Sequence, residues 1–238
     1  LRAYDLRTGK VIWSCGGLPN TVVASPVAAG SRVIAGASYV RRAMIAIDLE
    51  HAKGDLTDTD HVLWRRRTGT PYVPSPLLQD DTLYFFHHYQ NILSIVDART
   101  GRDHGPFRLP LRSLYASPVA GDNRVYLTDL TGATLVLAHG NKPKILARNE
   151  IGEPVSASPA LAGNELYLRG MRHLFCIAQD KIPNPENRKW IIVDIGVTFA
   201  DDTIPGIDLI YPDPGFICLL YTSDAADERS SVDLGGRR

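Results

Sequence analysis

The residues best suited to chemistry stand in "FFHHYQN", where His87, His88, Tyr89 and Gln90 bring two imidazoles, a phenol and an amide together. Adjacent residues on a strand point to opposite faces, so both imidazoles cannot ligate one metal without a bulge. The expectation is one exposed histidine and one between sheets or at the mouth of the fold, the sharper alternative being a channel-lining ligand group. His51, His61, His104 and His139 fall in loops or at strand starts and build no motif. Cys15, Cys176 and Cys218 are far apart, with no CxxC pair, so neither a disulfide framework nor a zinc site is predicted. No phosphate loop, nucleophile elbow or HExxH is present, and no set of Asp, Glu and Asn makes a calcium cage. The sequence therefore nominates no catalytic residue and no metal ligand, and no cofactor is evident.

Composition excludes more than it selects. The 238 residues carry 26 basic and 26 acidic side chains, a net charge of zero, with no long run of either sign. A broad footprint for nucleic acid is not expected. Arg41-Arg42 and Arg65-Arg66-Arg67 read as solvated strand ends. No run of about 18 apolar residues exists that could span a bilayer as a helix.

Whatever chemistry exists must be positioned by a repeat. A Ser-Pro phrase occurs four times, as "ASPVAAGSRVIAG" from Ala24, "PSPLLQDDTLYFF" from Pro74, "ASPVAGDNRVYLT" from Ala116 and "ASPALAGNELYLR" from Ala157. Its prolines, Pro26, Pro76, Pro118 and Pro159, follow at steps of 50, 42 and 41 residues. After each proline come short apolar pieces punctuated by Gly, Asp and Asn, which is strand and turn chemistry. In the third copy the strand containing Pro118 turns at Gly121–Asn123, where positive φ is tolerated, and returns with Val125 and Leu127 on one face. Third strands follow at "AMIAIDL", "ILSIVDA", "ATLVLAH" and "HLFCIAQ", and fourth strands at "KVIW", "HVLW", "GPFRL" and "KILAR". Four antiparallel strands in about 42 residues make the unit of an all-β propeller, a blade. The long first step is an insertion, "EHAKGDLTDTD" from Glu50 to Asp60, expected to be a surface loop.

"YDLRTGKVIW", Tyr4 to Trp13, resembles the repeat of pyrroloquinoline-quinone-like (PQQ-like) propellers, with its Asp, Thr-Gly turn and Trp before the Ser-Pro of the next blade. "VDARTGRDHGPF" is similar, and "IDLEHAKGDLTDTDHVLW" is a copy interrupted by the insertion. The resemblance assigns structural roles to Asp5, Thr8, Gly9, Trp13, Asp48, Trp64, Asp97, Thr100 and Gly101, beside the four prolines. The aspartates close turns, and the tryptophans fill the wedge between blades. It covers residues 1–180 and implies about four blades of a ring of about seven or eight, the chain beginning within a blade. It further implies a non-catalytic scaffold or binding module, periplasmic or otherwise extracytoplasmic, taking a protein or small ligand at a propeller face. This is the character of the outer-membrane assembly propellers. A quinoprotein dehydrogenase using PQQ and calcium is the alternative, though the adjacent cysteine pair of many such enzymes is missing. A sensor propeller of a larger signalling protein is a third.

The repeat fades after residue 180. Residues 181–217 read as a connector or the start of a following segment. Residues 218–238, "CLLYTSDAADERSSVDLGGRR", resemble an in-frame translated sequencing adapter and are expected to take no part in the fold.

Overall fold

The computed structural model describes residues 1–87 and 90–178, and beyond them residues 192–194 and 209–210 as strands. His88, Tyr89, Cys218 and the adapter-like segment lie outside the described residues.

Every regular element described is a β-strand. The four Ser-Pro phrases each open a sheet. In the first, β3 (Val27–Ala29), β4 (Arg32–Ala37), β5 (Ala43–Asp48) and β7 (Val62–Arg66) pair in that order. In the second, β8 (Leu77–Gln79), β9 (Thr82–Phe86), β10 (Ile92–Asp97) and β11 (Asp103–Arg108) do the same. The third holds β12 (Val119–Gly121), β13 (Arg124–Thr128), β14 (Ala133–Ala138) and β15 (Lys144–Glu150). The fourth holds β16 (Ala160–Ala162), β17 (Glu165–Arg169) and β18 (His173–Ala178), extended by β19 (Ile192–Asp194) and β20 (Leu209–Ile210). Ahead of them, β1 (Arg2–Tyr4) and β2 (Val11–Ser14) form the outer hairpin of another sheet. The chain is a β-propeller built of four-stranded antiparallel blades.

The radial arrangement follows from what each strand buries. In the first three Ser-Pro blades the second and third strands are buried along most of their length, as in β5 and β9, whereas β15 is largely exposed and β17 and β18 are mostly half-buried. A strand sandwiched between two other sheets must be apolar on both faces, which is why these stretches read as continuous rather than alternating apolar runs. Along β9, Leu83 and Phe85 pack toward the preceding blade with Ile34, Met44 and Ala46. Tyr84 and Phe86 point the other way, to Val125, Leu127 and Leu135 of the following one. The pairing of third with outer strand slips by one residue in four sheets, between Ala3 and Tyr4, Ala46 and Ile47, Ser94 and Val96, and Val136 and Leu137. Such bulges sharpen the twist that fans the strands outward.

Two local expectations shift. Each inner strand starts one residue after its proline, at Val27, Leu77, Val119 and Ala160. Proline has no N–H to give the ladder, so pairing begins at the next residue. At the third hairpin Gly121 still pairs with Arg124, and Asp122 and Asn123, with φ of 50° and 56°, make the turn by themselves.

The insertion is more than a surface loop. Within it β6 (Gly54–Asp55) pairs in parallel with β2 of the preceding blade, Trp13 opposite Gly54. Leu56 donates its N–H to Ser14 O at 2.8 Å, and Thr57 Oγ1 accepts the Gly16 N–H at 2.9 Å. Ala52 and Leu56 are buried with Trp13, Cys15, Ile45 and Ile47. Ala52 and Leu56 are the apolar residues in an otherwise polar stretch, and burying them against the neighbouring blade offsets the ordering cost of the loop.

Candidate functional site

In an antiparallel blade, the loops between second and third strands share a face with the connectors that lead to the next blade. On that face, between the first two Ser-Pro blades, lies a pocket of about 140 Å³ lined by Ser38, Arg42, Gly69, Thr70, His87 and Gln90. Ser38 and Arg42 bracket the loop after β4, Gly69 and Thr70 belong to the connector after β7, and His87 and Gln90 follow β9.

The connector is pinned across the blade: the buried Thr70 hydroxyl donates to Ala37 O at 2.9 Å, and Pro71 bridges His87. Gly69 has φ of 52°, and a Cβ there would stand 2.8 Å from His87 Nε2, so only glycine admits this approach without displacing the imidazole. His87 Nε2 lies 2.6 Å from Ser94 Oγ, and the ring stacks on Phe85 with centroids 6.2 Å apart. Behind them Arg66 pairs with Asp103 at 2.6 Å, and its guanidinium carbon sits 5.8 Å from the Phe85 centroid. Burial pushes the His87 pKa below its ordinary value; Asp103 opposes the shift, while Arg66 and Arg42 add to it. The imidazole is therefore neutral near pH 7.

His87, Ser94 and Asp103 have the residue types of a hydrolytic triad in the wrong order. The serine lies between the other two, 3.5 Å from Asp103 Oδ2, so the acid cannot orient the base. Ser94 is also fully buried in β10. This group lies within one sheet, tied to the preceding blade through the Arg66–Asp103 pair, and presents no nucleophile.

The loop and connector that line the pocket also carry apolar side chains and one strained residue. Tyr39 stacks on Tyr72 across loop and connector, with centroids 5.8 Å apart. Val40 is 89% exposed and has φ of 62°. A β-branched residue in this region is a conformational outlier, and such strain concentrates where ligands are held.

The sequence-nominated signature lies elsewhere, mostly at the opposite face. Asp5 accepts from the N–H and hydroxyl of Thr8, both at 2.7 Å, and Asp97 from those of Thr100 at 2.8 and 2.9 Å. Gly9 and Gly101 follow with φ of 67° and 72°. Asp48, where the insertion replaces the Thr-Gly turn, takes the Glu50 N–H at 3.2 Å. The same turn chemistry appears at the second-to-third loop of the third blade, where Asp129 accepts from Thr131 N–H at 2.8 Å and its hydroxyl at 2.6 Å. Trp13 is buried against the insertion. Trp64 lies over Gly101 of the next blade and donates Nε1–H to Ala98 O at 3.0 Å.

Sequence reasoning passed over the serines beside the prolines. Ser25 N–H donates to Ser75 Oγ, Ser75 N–H to Ser117 Oγ, and Ser117 N–H to Ser158 Oγ, each at 2.9 Å. This ladder links the entries of consecutive inner strands, next to Pro26, Pro76, Pro118 and Pro159. The signal was in the phrase: all four copies carry serine. Arg66, expected to be a solvated strand end, is instead mostly buried and paired with Asp103 of the next blade. Arg42 is exposed as expected, and its place at the pocket, like the approach of Ser94 and Asp103, had no signal because these residues converge only in the fold.

Among the described residues, no group of three or more His, Cys, Asp or Glu side chains could hold a metal ion. No helix there is long and apolar enough to cross a membrane.

No protein-family model matches the chain. Among solved structures it is similar to the computationally designed Ika4 protein, at 11% identity and a TM-score of 0.56 over 72% of this chain and 99% of that one. The designed Ika8 protein matches at 13% identity and a TM-score of 0.55, over 71% of this chain and 49% of that one. These likenesses show the fold. BamB from Moraxella catarrhalis aligns at 18% identity with a TM-score of 0.42, over 71% of this chain and 63% of that one. Among curated proteins, ribonuclease J of Sinorhizobium meliloti (strain Sm2011 / Rm2011 / 2011) is 52% identical over 33 residues, 14% of this chain and 6% of that protein. The chain thus spans a small fraction of the curated relative it matches.

Proposed function

We propose that the chain is part of a non-catalytic, PQQ-like propeller scaffold that binds a protein or small ligand through the face carrying the second-to-third loops. The observation behind this reading is the combination, on that face, of the pocket with the strained and exposed Val40 and the Tyr39–Tyr72 stack. Folding alone does not favour placing a large apolar side chain in water with φ of 62°. The buried, reversed order of His87, Ser94 and Asp103 gives hydrolysis no support. The repeat resemblance favours an extracytoplasmic setting, in the cell envelope.

Photo-crosslinking tests the reading. A benzophenone side chain in place of Val40 forms an adduct with a discrete partner, and the same group in place of Leu6, exposed on the opposite face, does not. Equal labelling from both positions, or none from either, removes it. Quinone absorbance and dye reduction on adding PQQ and calcium would put the dehydrogenase alternative in its place.

A further inference from the structure

We infer that the pocket between the first two Ser-Pro blades is a carboxylate-binding site, which names the ligand chemistry for the face proposed above and rests on that reading. The argument is an imbalance of donors over acceptors. Arg42 contributes an exposed guanidinium, and among the described residues no carboxylate pairs with it. Ser38 Oγ is buried without a hydrogen-bond partner. The Gln90 amide adds donors. Asp103 is committed to Arg66 at 2.6 Å, and neutral His87 brings no charge to the wall. One uncompensated cation beside an unpaired hydroxyl suits an anionic acceptor, and the planar fork of arginine matches a carboxylate.

Size selects further. The pocket's 140 Å³ holds a carboxylate with a short stem, whereas sites for larger organic ligands run to roughly 300 Å³ and above. The adjoining Tyr39–Tyr72 stack and Val40 offer apolar surface to whatever carries the carboxylate out of the pocket. The same chemistry is found at the C-terminus of a peptide and in a small free organic acid.

Calorimetric titration of the full chain with N-acetyl-trialanine, its C-terminal amide, and succinate separates these sources. The expected result is binding of the free-acid peptide, with roughly tenfold or greater weakening for the amide and for Arg42→Gln. Arg41→Gln, which removes a neighbouring charge outside the pocket, leaves binding unchanged. Succinate binding without the peptide keeps the site and assigns it to free acids. No binding of either acid, equal binding of acid and amide, or equal losses from Arg41→Gln and Arg42→Gln overturns the inference. Adducts at position 40 persisting in that case would leave the scaffold reading standing, so the two fail separately.

Discussion

Replacing Gly101 by alanine tests how Trp64 joins neighbouring blades, because two costs at this position can be separated. Gly101 has φ of 72°, and placing an L-residue there costs about 1 kcal/mol. A new Cβ would also stand 2.8 Å from Trp64 Cδ2 and 2.9 Å from Cγ, closer than carbon atoms approach. The indole must move, and it then loses its Nε1–H bond to Ala98 O, now 3.0 Å, worth about 1 kcal/mol. Its packing against the second blade loosens as well, for a total of about 3 kcal/mol. Gly9 supplies the control: it occupies the equivalent turn with φ of 67°, yet nothing lies within 4 Å of its Cβ position. Gly9→Ala should therefore cost only the backbone share, about 1 kcal/mol. Urea unfolding followed by far-UV circular dichroism measures both. Equal losses would show that the indole does not rest on Gly101 and would refute the reasoning.

Three further outcomes are expected. Leu56→Ala empties a fully buried site between the insertion and β2; it costs about 2–4 kcal/mol in urea unfolding and speeds protease cleavage within residues 50–60, whereas a free surface loop would show neither effect. Ser117→Ala removes the acceptor of the Ser75 N–H and should cost about 1 kcal/mol, with faster amide exchange at Ser75; an unchanged exchange rate would dismiss the serine ladder. Acid titration is the third. Burial alone would raise the Asp129 pKa, but hydrogen bonds from Arg112 N–H, from the Thr131 hydroxyl and N–H, and from Ala133 N–H hold it below its ordinary value of 3.8. A carboxylate with a depressed folded-state pKa stabilises the fold above its unfolded value and loses that contribution as pH falls through the folded one. Glu153 behaves alike: burial raises its pKa, and the Arg172 N–H and His173 bonds lower it further than burial raises it. Stability should decline from about pH 4 downward, and Asp129→Asn should be less stable than the parent at pH 7 while showing a shallower decline; parallel curves would contradict this.

The repeat made the blades legible because their grammar is local. Positive-φ turns need Gly, Asp or Asn wherever they fall, and a strand sandwiched between sheets must be apolar on both faces, as Leu83 to Phe86 are. Asp5 with Thr8 and Asp97 with Thr100 are legible for the same reason, since each hydrogen bond spans three residues. Local grammar also misled. It read Glu50–Asp60 as an external loop because Trp13 and Cys15, which are buried with Leu56, lie far back in the chain.

What the sequence by itself determined is the secondary structure, the four-stranded period and the chemistry of the turns, all set by interactions between residues a few positions apart. Tertiary structure alone decided the pocket. Arg42, Gly69 and His87 come from a loop, a connector and a strand end of two blades, and no spacing in the chain encodes their approach. It also lowered the His87 pKa, since the burial responsible is a product of packing. The serine ladder stands between the two: its residues are written into every copy, but that each reaches the next is a property of the curvature that places inner strands side by side.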